Sequence, residues 1–142
     1  MKKVVCTVIA VVMIAAMVLS LSGCGETGKY AGYWVSSGDS MCSILHLKSD
    51  GTFETVWWHS SSSGGVREYF EEKGISYPMS LSDVKTALET ATALRGGDYD
   101  GTWNIKDNTI NVVDSKSNVA QQYDMIDDDH IRDNFSQYYR AE

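Results

Sequence analysis

Thr102-Trp103-Asn104-Ile105-Lys106-Asp107-Asn108-Thr109-Ile110-Asn111-Val112-Val113 alternates apolar and polar residues on both sides of an Asp-Asn pair. Two such runs joined by two turn-forming residues predict an antiparallel hairpin, because Asp and Asn tolerate the left-handed backbone of a tight turn between twisted strands. Loop length sets the register: Lys106 opposes Thr109, Ile105 meets Ile110 and Trp103 meets Val112. One face is then apolar, with Asn104 and Asn111 on the other.

Upstream, residues 41–59 form a second hairpin. If Ser49-Asp50-Gly51 is a three-residue loop with Gly51 in the left-handed position, Leu47 opposes Phe53, Leu45 opposes Thr55 and Ser43 opposes Trp57. Leu45, Leu47, Phe53 and Trp57 then share one face, while His46 meets Glu54 on the other. A two-residue loop would pair Lys48 with Phe53 and split the apolar set. Residues 31–35, 119–126, 131–135 and a run ending at Tyr138-Tyr139-Arg140 read as further strands, separated by turns at 36–40, 115–118 and Asp127-Asp128-Asp129.

A short helical insertion at residues 66–94 interrupts the strands. Val66, Tyr69, Phe70 and Lys73 have helical spacing, and Gly74-Ile75 reads as a C-terminal cap with its hydrophobic contact. After the break at Pro78, Ser80 and Asp83 make a capping box, and Leu81, Val84, Leu88, Ala91 and Leu94 line one stripe that Gly96-Gly97 ends. Such a stripe must be buried. The expected place is across the open end of a small barrel, as a lid or a plug.

Gly32-Tyr33-Trp34 and Gly101-Thr102-Trp103 repeat one pattern, Gly-x-Trp opening a strand. In this respect the chain resembles the lipocalin-like, calycin-type small barrels found in many bacterial lipoproteins, over most of residues 31–140. The resemblance implies a mainly β fold, a small antiparallel barrel of about eight strands. Gly bends the first strand at the closed end, the Trp plugs the floor, and Arg140 covers Trp34 as a late basic residue does in lipocalins. It also implies a small apolar ligand. Two departures are visible: the helical pair interrupts the strand series, and a Thr-Asp-Tyr motif is missing.

The N-terminus carries an address. Lys2 and Lys3 precede an uncharged apolar run over residues 4–19, and Leu21-Ser22-Gly23-Cys24 closes it. This closely resembles a bacterial lipoprotein signal. The resemblance implies cleavage between Gly23 and Cys24, a diacylglyceryl group on the Cys24 thiol, and lipid anchoring on the exported side of a bacterial membrane. The other reading is an uncleaved span, since residues 4–21 reach about the minimum of 18 for crossing a bilayer. On the lipoprotein reading, residues 1–23 are signal peptide, 24–29 a lipidated tether and 30–142 one domain.

Removing Lys2 and Lys3 with the signal leaves ten basic against nineteen acidic residues, so the exported part carries −9. That balance argues against nucleic acid and against an electrostatic grip on anionic lipid, leaving the acyl group to hold the membrane. All fifteen aromatic residues lie after residue 23, enough to build one core. Cys42 is left without a disulfide partner and reads as a small half-buried strand residue.

Chemical constellations are thin. His46, His59 and His130 are far apart in sequence, so no metal is expected. Asp127-Asp128-Asp129-His130 reads as a solvated turn, Asp98-Tyr99-Asp100-Gly101 lacks the remaining ligands of a calcium loop, and the serine run at 60–63 has no nucleophile elbow. No enzyme and no cofactor is expected. Two function classes stay open. One is a ligand-binding barrel whose site is lined by inward Trp34, Trp57 and Trp103 with Leu88 of the lid. The other is an interaction module facing an unknown protein, its interior filled by its own side chains.

Overall fold

Both hairpins form in the expected register. Leu47 pairs with Phe53, Leu45 with Thr55 and Ser43 with Trp57; Lys106 pairs with Thr109, Ile105 with Ile110 and Trp103 with Val112. The turn residues do what their chemistry allows: Gly51 has φ 83°, and Asp107 and Asn108 have φ 52° and 60°, the left-handed pair of a two-residue hairpin loop.

The computed structural model describes residues 27–62 and 64–142, so Gly23, Cys24, the signal and the first part of the tether lie outside the described residues. Eight strands succeed one another: β1 (Gly32–Ser37), β2 (Met41–Leu47), β3 (Thr52–His59), β4 (Arg95–Lys106), β5 (Thr109–Asp114), β6 (Ala120–Met125), β7 (His130–Arg132) and β8 (Gln137–Arg140). Each pairs antiparallel with the next, and β8 returns to β1 through Trp34–Arg140 and Val35–Tyr139, closing a barrel of lipocalin-like architecture. Two helices, α1 (Gly65–Glu72) and α2 (Leu81–Thr90), lie between β3 and β4, and residues 27–30 are helical.

The caps match their sequence signals. The Ile75 N–H bonds the Phe70 carbonyl at 2.9 Å and the Gly74 N–H bonds Glu71 at 2.9 Å, ending α1 with Ile75 buried. At α2, the Ser80 hydroxyl accepts from the Asp83 N–H at 3.1 Å while the Asp83 carboxylate accepts from the Ser80 N–H at 3.0 Å.

Two expectations are corrected. The glycine pair does not end the second helix: α2 stops at Thr90, and Gly96 and Gly97 belong to β4, which starts seven residues before the expected Thr102. Their role is close approach. A Cβ at Gly96 would overlap the six-membered ring of Trp57, and one at Gly97 would stand 3.2 Å from its indole nitrogen. The pairing of β3 with β4 shifts between Trp57 and Trp58, so an extra residue of β4 is accommodated where the indole lies.

The second correction concerns the helices, which cover the outside of the barrel wall. Strand parity makes this necessary. With Phe53, Thr55 and Trp57 inward, Val56 and Trp58 point outward, as do Ile44 and Cys42 on β2 and Val35 on β1. These residues form a second core with Val66 and Phe70 of α1 and Val84 and Ala87 of α2. Trp58 packs edge-on to Phe70 with ring centroids 5.2 Å apart, and its indole N–H donates to the Ala91 carbonyl at 2.7 Å, satisfying an orphan acceptor at the end of α2. Cys42, expected to be half-buried, is wholly enclosed here, and burial pushes its thiol up to about 12.

Candidate functional site

The barrel interior is built from the inward positions of all eight strands. Trp34, Leu45, Leu47, Phe53, Trp103, Ile110, Val112, Tyr123, Ile131 and Tyr138 form its core. Its two ends differ in chemistry.

One end is closed. It carries the helical residues 27–30 and the tight turns after β2 and β4. Trp34 lies there, its indole N–H donating to the Tyr30 carbonyl at 3.0 Å, with the Arg140 guanidinium 4.7 Å over its ring. Arg140 in turn donates to the Lys29 carbonyl at 2.7 Å, which fixes the helical residues against the barrel. The Trp103 indole N–H donates to the Lys48 carbonyl at 2.8 Å, tying β4 to the neighbouring turn. The floor is therefore plugged as the resemblance implies, and Trp34 and Trp103 are its plug.

The other end opens between the β5–β6 and β7–β8 connections and the start of the helical insertion. A cavity of about 310 Å³ lies there, lined by Phe53, Thr55, Tyr99, Val112, Asp114 and Tyr123, with Ser117, Val119 and Gln121 at its rim. Register accounts for the lining: Thr55 pairs with Tyr99, Phe53 with Gly101, Gly101 with Asp114 and Val112 with Gln121, all at inward parity. Gly101 leaves room where three strands crowd. A Cβ there would run into the Val113 carbonyl and approach the Phe53 ring to 2.9 Å.

Polar groups converge behind the aromatic wall. Tyr123 and Tyr138 pack edge-on at 5.3 Å, and burial raises both phenols, Tyr138 to about 12 with help from the Asp133 charge. Asp133 accepts from the Gln121 side-chain amide at 2.9 Å. Asp114 is only 9% exposed. Its Oδ2 accepts from the Ser117 hydroxyl and, at 2.9 Å, from the Ser117 N–H; these bonds hold the carboxyl below its usual range, hydroxyl first. Its buried Oδ1 has no hydrogen-bond partner.

Of the four residues read as a ligand site, three are inward but at different depths. Trp34 and Trp103 fill the floor, and Trp57 lies inward near the open end, beside Gly96 and Gly97. Leu88 is the exception: it packs on the outer core with Val84 and Ala87, on the opposite side of β3 from Trp57, so it lines no interior. Asp114, Tyr99 and Tyr123 were missed. The signal for Asp114 was present in the alternation Ile110, Val112, Asp114, which carries a charge to an inward position.

A larger groove of about 680 Å³ runs along the outside near the C-terminus, lined by Met79, Asp129, His130 and Tyr139 among others. It shares no lining residue with the cavity at the mouth. No group of three His, Cys, Asp or Glu side chains among the described residues is placed to hold a metal. Also among the described residues, no helix is long and apolar enough to cross a membrane. The chain matches no family model and no curated protein, so the closed eight-stranded barrel is the level at which likeness to known proteins stands.

Proposed function

We propose that this chain is an exported bacterial lipoprotein, anchored through Cys24, whose barrel binds a small, largely apolar ligand in its open mouth. The observation that carries the binding half is the cavity of about 310 Å³ between Phe53, Tyr99, Val112 and Tyr123, near the lower limit of ligand pockets. Phe53, Tyr99, Val112 and Tyr123 give it apolar walls and Thr55, Asp114, Ser117 and Gln121 add polar groups, which is how small-molecule sites combine affinity with orientation. The reading is of a binder and not an enzyme. Asp114 is the one lining residue charged at neutral pH, and it is engaged by Ser117.

The anchor half rests on Leu21-Ser22-Gly23-Cys24 and on the acidic balance of the residues after Cys24. The chain joins the barrel at its closed end. Cys24 is six residues from Tyr30, a reach of at most about 20 Å, so an acyl group there turns the floor toward the bilayer and the mouth away from it.

A second reading has its own support. Phe135 is 92% exposed and Val119 64% exposed on the two loops beside the mouth, and an interaction module with a filled interior would use such a rim.

The test uses the full-length lipidated protein in phospholipid nanodiscs, with empty discs as control. Phenylbutanol titration by calorimetry should give saturable binding, and Val112→Phe, which fills the cavity, should remove it. Heat equal to that of empty discs leaves the rim reading in place. For the anchor, mass spectrometry should find an acylated N-terminal Cys24; an N-terminus at Met1 ends the lipoprotein reading.

A further inference from the structure

We propose that the free edge of β6 at residues 120–123 docks an extended segment of a partner protein. The segment adds to the barrel as a short antiparallel strand, with apolar side chains facing inward and basic ones outward. The site lies beside the mouth and is independent of small-ligand binding there.

The edge follows from unequal strand lengths. β6 pairs with β5 from Ala120 to Asp124, but with β7 only at Asp124 and Met125. β7 has three residues, and the chain then turns into β8, the Asp133 N–H bonding the Ser136 carbonyl at 3.0 Å. Among the described residues, positions 120–123 therefore have a strand on one side alone. Backbone groups of successive residues turn toward opposite neighbours of a strand. The Val119 carbonyl accepts from the Asp114 N–H at 3.0 Å, toward β5, whereas the Ile126 N–H donates to the His130 carbonyl at 3.0 Å, toward β7. By this alternation the N–H and C=O of Ala120 and Gln122 turn toward the gap. Their side chains leave it open: Ala120 has only a methyl, and the Gln122 amide donates to Asn111 on β5 at 2.9 Å. Gln121, of inward parity, spans the inner side of the gap to Asp133. No Lys or Pro blunts this stretch of edge.

The chemistry of the edge sets its occupant. Donors and acceptors spaced along a strand are matched by another backbone in the β conformation, and four residues of it measure about 13 Å. The gap is a groove of about 500 Å³ whose lining includes Val119, Gln122, Asp124, Arg132, Asp133 and Phe135. Phe135 is 92% exposed and Val119 64%, so apolar side chains of an added strand find partners there. Charge then selects among peptides. Asp124 and Asp133 share the groove with one cation, Arg132, which stands 4.0 Å from Asp124, and the residues after Gly23 carry −9. A second copy would bring the same carboxylates. Lys or Arg side chains opposite Ala120 and Gln122 instead reach Asp124 along the outer face.

The probe is the capped pentapeptide Val-Lys-Val-Lys-Val, added to the full-length lipidated protein in phosphatidylcholine nanodiscs while backbone amide shifts are followed. Shifts should saturate at residues 119–123 and at Phe135. The Val-Glu-Val-Glu-Val counterpart should bind at least about fivefold more weakly at low salt. N-methylation separates strand pairing from charge and apolar contact. In the antiparallel arrangement the outward Lys residues turn their amides toward β6, so methylating both Lys amides should remove binding, and methylating the two Val amides that follow them should leave it in place. Gln122→Pro suits an edge whose N–H points away from β5; it should remove peptide binding while phenylbutanol still binds in the mouth. Should that variant not fold, the two methylated peptides on the unaltered protein decide. Binding that survives Lys methylation, equal affinity of the two charge forms, or shifts confined to other surfaces overturns the proposal. Self-association of the loaded discs in sedimentation that Gln122→Pro abolishes assigns the edge to a second copy and overturns it equally. Phenylbutanol binding without peptide binding overturns the edge alone, and the converse overturns the cavity alone.

Discussion

Replacing Trp103 with alanine tests the barrel's internal register where it matters most. The side chain is 4% exposed, packed with Trp34, Leu47, Ile110 and Val112 in the interior, and its N–H holds the Lys48 carbonyl. Emptying a buried aromatic site costs about 3–5 kcal/mol. The Lys48 carbonyl lies at a turn, where water replaces the lost donor, so that bond adds no more than about 1 kcal/mol. Asn104 is the internal control, one residue along and on the exposed outer face; Asn104→Ala should stay within about 0.5 kcal/mol. For a domain of this size each kcal/mol lowers the midpoint by roughly 4 °C, so Trp103→Ala should melt about 12–20 °C early. Urea and thermal unfolding, monitored by circular dichroism, measure both. Comparable losses for the two variants, or a loss under about 1 kcal/mol at Trp103, would refute the inward assignment of β4.

Other parts of the fold have their own checks. Gly96→Ala pushes a methyl into the Trp57 ring, so it should cost about 1–3 kcal/mol and shift tryptophan emission to the red as the indole leaves its seat; unchanged emission would contradict the close packing. Cys42, with its thiol raised by burial, should resist a disulfide reagent at mildly alkaline pH until denaturant is added, and prompt labelling of the folded protein would show that the outer core is open. Ser80→Ala should cost about 1 kcal/mol near neutral pH. The Asp83 carboxyl is lowered by its bonds to the Ser80 hydroxyl and N–H, so its contribution is present above the ordinary carboxylate range and lost as pH falls below that range and through the lowered value. The cost of Ser80→Ala should therefore shrink in acid, and a cost that grows would contradict the capping box.

Much of the barrel was legible because its hairpins are local. Asp107-Asn108 and Ser49-Asp50-Gly51 each fix a loop length, and from there parity assigns every side chain to a face. What failed was non-local. Gly96-Gly97 reads as a helix stop because that is the commonest use of glycine after an apolar stripe; its actual partner, Trp57, is about forty residues earlier and meets it only through strand pairing. The destination of the helices was equally hidden. Trp58 and Val56 sit at positions that an isolated hairpin would give to solvent, and their apolar character is the one sign that something covers the outer wall. Leu88 went with that error. Asp114 was overlooked because a charge at the end of an alternating strand is usually a turn residue; here it starts the Ser117 turn and also faces the cavity.

The central claim is that the mouth takes a small apolar ligand. Its most direct test is to map backbone amide shifts of the full-length protein in nanodiscs while phenylbutanol is added. The account predicts saturating shifts at Phe53, Thr55, Tyr99, Val112 and Tyr123, with the floor around Trp34 and the outer core around Trp58 unmoved; shifts that are absent, or that fall instead on the groove beside Met79 and Tyr139, would contradict it.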